Sequence, residues 1–191
     1  MKIILFIPML LISFNAYADN YFAELRVGPT DTYHKVVNTA NAKLEGDFKG
    51  VNLGLRAGRS FGQHSLYLEY NPEQDVEIKS ANELAKVEST FIGYRYLIGN
   101  SNFFAGGQVG QSSFTLEQGP GGVMFIDNPT TKGITYGVNT GYIQKYENIY
   151  LSADAAYNFG SYKKDGPAST PVKNIEIQHQ FQLNLSIGTT F

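Results

Sequence analysis

From Asn20 onward the chain alternates apolar and polar residues with a period of two, and no long segment carries the 3.6-residue period of a helix. In the first run Tyr21, Ala23, Leu25 and Val27 share one face, against Phe22, Glu24, Arg26 and Gly28 on the other. A second sets Val51, Leu53, Leu55 and Ala57 against Asn52, Gly54, Arg56 and Gly58. Further runs cover 66–70, 91–96, 103–110, 134–142 and 149–159. The last sets Ile177, Phe181, Leu183, Leu185, Ile187 and Phe191 against Glu176, Gln178, Gln180, Gln182, Asn184 and Ser186. Eight such runs of roughly nine or more residues suit tilted strands that cross an apolar layer.

The connections alternate in length. Long polar segments follow the odd runs: Pro29 to Phe48, Asn71 to Ala85, Glu117 to Lys132 and Ser161 to Asn174. Short turns follow the even ones, around Phe61 to His64, Gly99 to Asn102 and Lys145 to Asn148. Alternation alone does not say which face is dry, because a soluble eight-stranded barrel points its apolar residues inward. Charge decides. Glu24, Arg26, Arg56, Glu69, Arg95 and Asp154 all lie on the polar face near strand centres, and the apolar face is almost free of charge. Aromatics cap the apolar face at both ends. Tyr21, Tyr96, Phe103, Tyr142 and Phe191 fall near the short turns, and Tyr70, Phe114, Tyr136, Tyr157, Phe159 and Phe181 nearer the long segments. Two aromatic belts around an aliphatic band fit two lipid interfaces, so the chain is expected to be an all-β, eight-stranded antiparallel up-and-down transmembrane β-barrel.

The first 18 residues read as a cleaved signal peptide. Lys2 gives the positive start, Ile3 to Ile12 the apolar stretch, and Ala16-Tyr17-Ala18 the small-x-small cleavage pattern, with Asp19 opening the mature chain. The apolar stretch, about 12 residues, is short of the roughly 20 a spanning helix needs. Residues 19–191 are then one barrel domain. Zero Cys excludes disulfides, thiolate metal sites, cysteine nucleophiles and a lipidated N-terminal Cys. With 15 basic against 17 acidic residues there is no surplus for nucleic acid.

These residues carry a resemblance. The signal peptide, Gly28 and Gly58 at strand ends, the Phe91-Ile92-Gly93-Tyr94-Arg95-Tyr96 and Phe104-Ala105-Gly106-Gly107 strands, and the ending from Leu183 to Phe191 resemble the small eight-stranded outer-membrane barrels. That is the porin-family or opacity-like group, which includes the transmembrane domain type of outer-membrane protein A. The resemblance covers 19–191 and implies an integral outer-membrane protein of a Gram-negative bacterium, monomeric, in contact with lipid and lipopolysaccharide. It also implies that periplasmic chaperones and the barrel-assembly machinery handle the chain. Leu183, Leu185, Ile187 and Phe191 match the C-terminal assembly signal. Architecture follows from such a resemblance far more firmly than function.

Eight strands leave an interior that side chains fill. Inward glycines make room for Arg26, Arg56 and Arg95, and Glu24, Glu69 and Asp154 can neutralise them. The lumen therefore reads as a salt-bridged plug, with a narrow or gated pore as the counter-reading. His34, His64 and His179 share no metal-ligand spacing, and neither a metal nor a cofactor is expected. Some small outer-membrane barrels modify lipid A with rim residues; His179 sits at a suitable height but lacks a His-x-Ser pattern, and His64-Ser65 is at the opposite end. Function is then expected at the loops. Val123, Met124, Phe125 and Ile126 form a candidate contact patch, or else extend a hairpin above the membrane. Lys163, Lys164 and Lys173 either meet lipopolysaccharide phosphates or are solvated loop charge. The expected function is non-enzymatic: envelope support, or contact with host surface molecules.

Overall fold

The computed structural model describes residues 21–38, 43–78, 83–119, 123–124, 130–165 and 172–191. The signal segment with Ala16 and Ala18 lies outside them, as do Phe125 and Ile126. The strands are β1 Tyr21–Asn38, β2 Lys43–Phe61, β3 His64–Ile78, β4 Glu83–Leu97, β5 Phe103–Gly119, β6 Val123–Met124, β7 Thr130–Tyr146, β8 Ile149–Asp165 and β9 Val172–Thr190. Every pairing is antiparallel. The order runs β4-β3-β2-β1-β9-β8-β7-β5, and β5 pairs back with β4, so eight long strands close into a barrel. The two-residue β6 pairs only with the end of β5 and stands outside that ring.

The alternation sorts as its charge content requires. Leu185 is 66% exposed and Val51 62% on the outside, whereas Arg26 is 0% and Arg56 1% exposed inside. Leu25, Leu53, Ile92, Val138 and Leu151 continue the outer band across other strands. An apolar surface that size aggregates in water and is matched only by an apolar solvent. This is a soluble barrel turned inside out.

The strands are longer than the sequence pattern suggests. Only about 9–11 tilted residues cross the apolar layer, yet β2 and β9 have 19 residues each and β5 has 17. The surplus lies at the end of the expected long loops, which are largely continuations of the hairpins: β1 and β2, for example, stay paired out to Val37 opposite Lys43. Gly28 and Gly58 are accordingly interior strand positions rather than strand ends. Gly28 packs so closely on the Leu183 carbonyl of β9 that a side chain there has no space.

Irregularity is confined to the same half. The register shifts fall at Tyr33/His34 and Val37/Asn38 in β1, Gly50/Leu55 in β2, Asn71/Gln74 in β3, Leu84/Ala85 in β4 and Asn158/Tyr162 in β8. Below them no register shift occurs, although Gly28 and Pro29 of β1 have no ladder partner on β9.

One outer-belt residue changes sides. Phe114 was expected among the lipid-facing aromatics, but it is 0% exposed and shares the inward phase of Phe104, Gln108 and Ser112. It has neighbours Val87 on β4 and Thr131 on β7, both buried, and caps the interior from within.

Candidate functional site

The six charged residues of the polar face meet in the barrel interior. Arg56 on β2 is registered between Glu24 of β1 and Glu69 of β3. Its guanidinium donates to Glu69 Oε2 from Nη2 at 2.7 Å and from Nε at 3.0 Å, and from Nη1 to Glu24 Oε2 at 3.2 Å. The same Nη1 reaches Asp154 Oδ2 at 3.5 Å. Arg26 Nη2 forks onto Asp154 at 2.8 and 3.0 Å and its Nη1 pairs with Glu69. Arg95 Nη1 donates to Glu24 Oε1 at 2.8 Å. Three guanidinium groups thus balance three carboxylates, which is what burial of this much charge requires.

Neutral donors complete the carboxylate shells. Tyr150 Oη donates to Glu24 at 2.9 Å, Asn71 to Glu69 at 3.0 Å, and Asn184 to Asp154 at 2.8 Å. Asn52 in turn donates to Asn184 at 2.9 Å. Beside this lies a second, uncharged network: Asn139 donates to Tyr67 Oη at 2.7 Å, Tyr67 Oη to Gln108 at 3.1 Å, and Gln108 to Asn158 at 2.9 Å.

An aromatic layer, not anticipated from the sequence, lies on the short-turn side. Phe22, Tyr67, Phe104, Ile143 and Tyr150 form one buried cluster. The Arg95 guanidinium stands 5.0 Å over Phe22 and 5.1 Å over Phe104, and that of Arg56 4.3 Å over Tyr67. These contacts favour the cations where water is absent. A sequence signal existed. Five inward rings are each registered beside a glycine: Phe22 by Gly58, Tyr67 by Gly93, Phe91 by Gly110, Phe104 by Gly141, Tyr150 by Gly188; Phe114, between Val87 and Thr131, is the exception. Large-against-Gly pairing is how a narrow barrel is filled. At Gly93 an added Cβ would run into the Tyr67 ring itself.

The other candidates lie apart from this network. His64 Nδ1 meets Tyr94 Oη at 2.6 Å on the outer face, while its neighbour Ser65 is buried and bonds Ser60 at 2.9 Å, so the two do not join. His179 stacks between Tyr33 at 5.2 Å and Tyr157 at 5.8 Å as part of the outer belt. The His34 side chain lies outside the description. Among the described residues no group of three His, Cys, Asp or Glu is arranged to hold a metal. In the candidate patch, Val123 and Met124 pair as backbone with Gly119 and Gln118, which is the hairpin-extension geometry. Leu183, Leu185 and Ile187 face outward on β9, and Phe191 exchanges backbone hydrogen bonds with Tyr21 at 3.0 and 3.1 Å beneath their stacked rings.

No family model matches the chain, and no curated protein matches it. Solved structures do. Neisserial surface protein A (NspA) is similar at 16% identity and TM-score 0.59, covering 90% of this chain and 97% of that one. Ail, the attachment invasion locus protein of Yersinia pestis, is 13% identical with TM-score 0.53, covering 91% of this chain and 100% of Ail. OprG, an outer-membrane protein from Pseudomonas aeruginosa, is 15% identical with TM-score 0.52, covering 92% and 97%. At such identities the likeness is one of fold. The chain has the fold of the small eight-stranded outer-membrane β-barrels.

Proposed function

We propose that this chain is an integral outer-membrane barrel with no catalytic role, whose lumen is shut and whose work is done at its outer rim, in envelope support and surface contact. The observation that carries the reading is the interior itself: all six buried charges are paired, with a packed aromatic layer on their short-turn side. A solute would have to break ion pairs that nothing in the lumen can replace. Only the rim is left to meet a partner, and the fold is shared with Ail, a protein named for attachment. Chaperones and the barrel-assembly machinery would take the chain after cleavage at Ala18, reading Leu183, Leu185, Ile187 and Phe191.

Planar-bilayer recording of the refolded protein tests the shut lumen. The expected record is flat at physiological salt. Discrete, voltage-independent steps would make the protein a small-solute pore instead. For the rim, replacing residues 123–126 by Gly and Ser should abolish adherence of the bacterium to host cells while leaving detergent resistance intact. Unchanged adherence would remove that patch from the account.

A further inference from the structure

At the short-turn end, beside the aromatic layer, the interior leaves a cavity of about 30 Å³. That is room for about two water molecules, or for the two oxygens of one carboxylate. Its walls are apolar, from Phe22 of β1, Leu97 of β4, Ile143 of β7 and Tyr150 of β8. Its polar lining comes from Ser60 of β2, Ser65 of β3, Arg95 of β4, Lys145 of β7 and Thr190 of β9. Two of these residues are cations and none is acidic.

The donors around this space are only partly used. Arg95 is 3% exposed, yet among the described residues its one hydrogen bond runs from Nη1 to Glu24 Oε1 at 2.8 Å. That carboxylate is committed elsewhere as well, accepting from Tyr150 at 2.9 Å and from Arg56 at 3.2 Å. The remaining N–H groups of Arg95 are left to an acceptor that enters the cavity. Ser60 and Ser65 bond each other at 2.9 Å. One hydroxyl proton closes that bond, and the other is left to donate. Lys145, registered opposite Tyr150, is exposed at the mouth and forms no ion pair among the described residues.

Size and donor type identify the ligand. A guanidinium offers parallel N–H bonds that match the two oxygens of a carboxylate, and an ammonium adds charge without fixing direction. The apolar walls suit the small carbon group that a carboxylate carries. A phosphate, tetrahedral and with four oxygens, exceeds the space. Up-and-down outer-membrane barrels keep their short turns on the periplasmic side, so the cavity faces the periplasm. It lies at the opposite end from the outer rim, and a ligand reaches it without crossing the charge network.

We propose that this cavity is a periplasm-facing binding site for a carboxylate, that of a small free acid or of a peptide terminus, held by Arg95, Lys145 and a serine hydroxyl. To test it, the isotope-labelled protein, refolded in neutral detergent, is titrated with sodium acetate or N-acetylalanine at constant ionic strength. Binding is followed by NMR at the Arg95 Nε–H and at the backbone amides of Ser65 and Leu97. Both acids should shift these resonances saturably, and acetamide and N-acetylalaninamide should not. Lys145→Gln should weaken binding about fivefold, as befits an exposed partner. Arg95→Lys, which keeps the charge and loses the fork, should weaken it about tenfold or more. Arg59→Gln should leave it unchanged, because that cation lies on the outer face over Tyr21 and Phe61. Much tighter binding of N-acetylalanine than of acetate assigns the carboxylate to a peptide terminus, and comparable binding assigns it to a free acid; both uphold the site. Absence of a saturable shift in wild type, equal shifts with the amides, displacement by equimolar chloride, binding by Lys145→Gln within about twofold of wild type, or equal loss with Arg59→Gln would each overturn it. Heat-dependent gel mobility on the same samples shows which variants are folded. Arg95 belongs to the charge network, so Lys145→Gln, outside that network, decides the matter where Arg95→Lys does not fold.

Discussion

Arg56 serves three carboxylates at once, and this concentration makes it the residue on which the interior is most sensitive. Arginine stays charged at any working pH, so the network cannot relax by shedding its protons. Arg56→Leu removes both guanidinium donors to Glu69 Oε2 and unbalances the buried charge. The expected loss is about 3–5 kcal/mol, read as a lower urea or heat midpoint in detergent. Arg59→Leu is the control: among the described residues that guanidinium makes only cation–π contacts at the short-turn rim, over Tyr21 at 5.3 Å and Phe61 at 4.8 Å, and its loss should cost about 1 kcal/mol or less. Equal midpoints for the two variants would mean that the charges do not hold the barrel. Gly93→Ala tests the filling. Tyr67 is fixed by Asn139, Gln108 and the Arg56 guanidinium, so it cannot swing clear of a new methyl group, and the substitution should cost about 1–3 kcal/mol. No change in midpoint would show that the ring is free to move.

Among the elements, the short turns are where backbone geometry limits sequence. Gly62 and Gly99 take positive φ at 62° and 59°, as glycine does at no steric cost, but the β7–β8 turn puts Glu147 at φ 54°. Glu147→Asn should stabilise the barrel by about 0.5–1 kcal/mol, read as a higher unfolding midpoint, because Asn tolerates the left-handed region better. A lower midpoint would mean that the glutamate makes a compensating contact. What was legible in the sequence follows from the solvent on each side. Within the lipid-facing half, apolar and polar residues must alternate, so the phase of Leu25, Arg56 and Asp154 could be read directly. Above it both faces of a hairpin tolerate polar residues, the period fades, and 29–48 reads as loop although it is mostly paired strand. Phe114 was misplaced for the same reason: beyond Val109 a large aromatic no longer marks the lipid face. The charge network was legible because six charges on one face need partners. The aromatic layer was legible only as glycine–aromatic pairing across strands, which requires the register first.

For the whole molecule, the inverted distribution of polarity governs everything else. A buried, balanced set of six charges and an exposed apolar band fit each other only if the outside is lipid. The most direct measurement is the gel mobility of the outer-membrane fraction, boiled against unboiled, with the N-terminus of the band determined. The account predicts a heat-dependent shift in an integral membrane band that begins at Asp19. A soluble periplasmic protein with no shift would contradict it, because the apolar band would then have to be buried and the charges exposed.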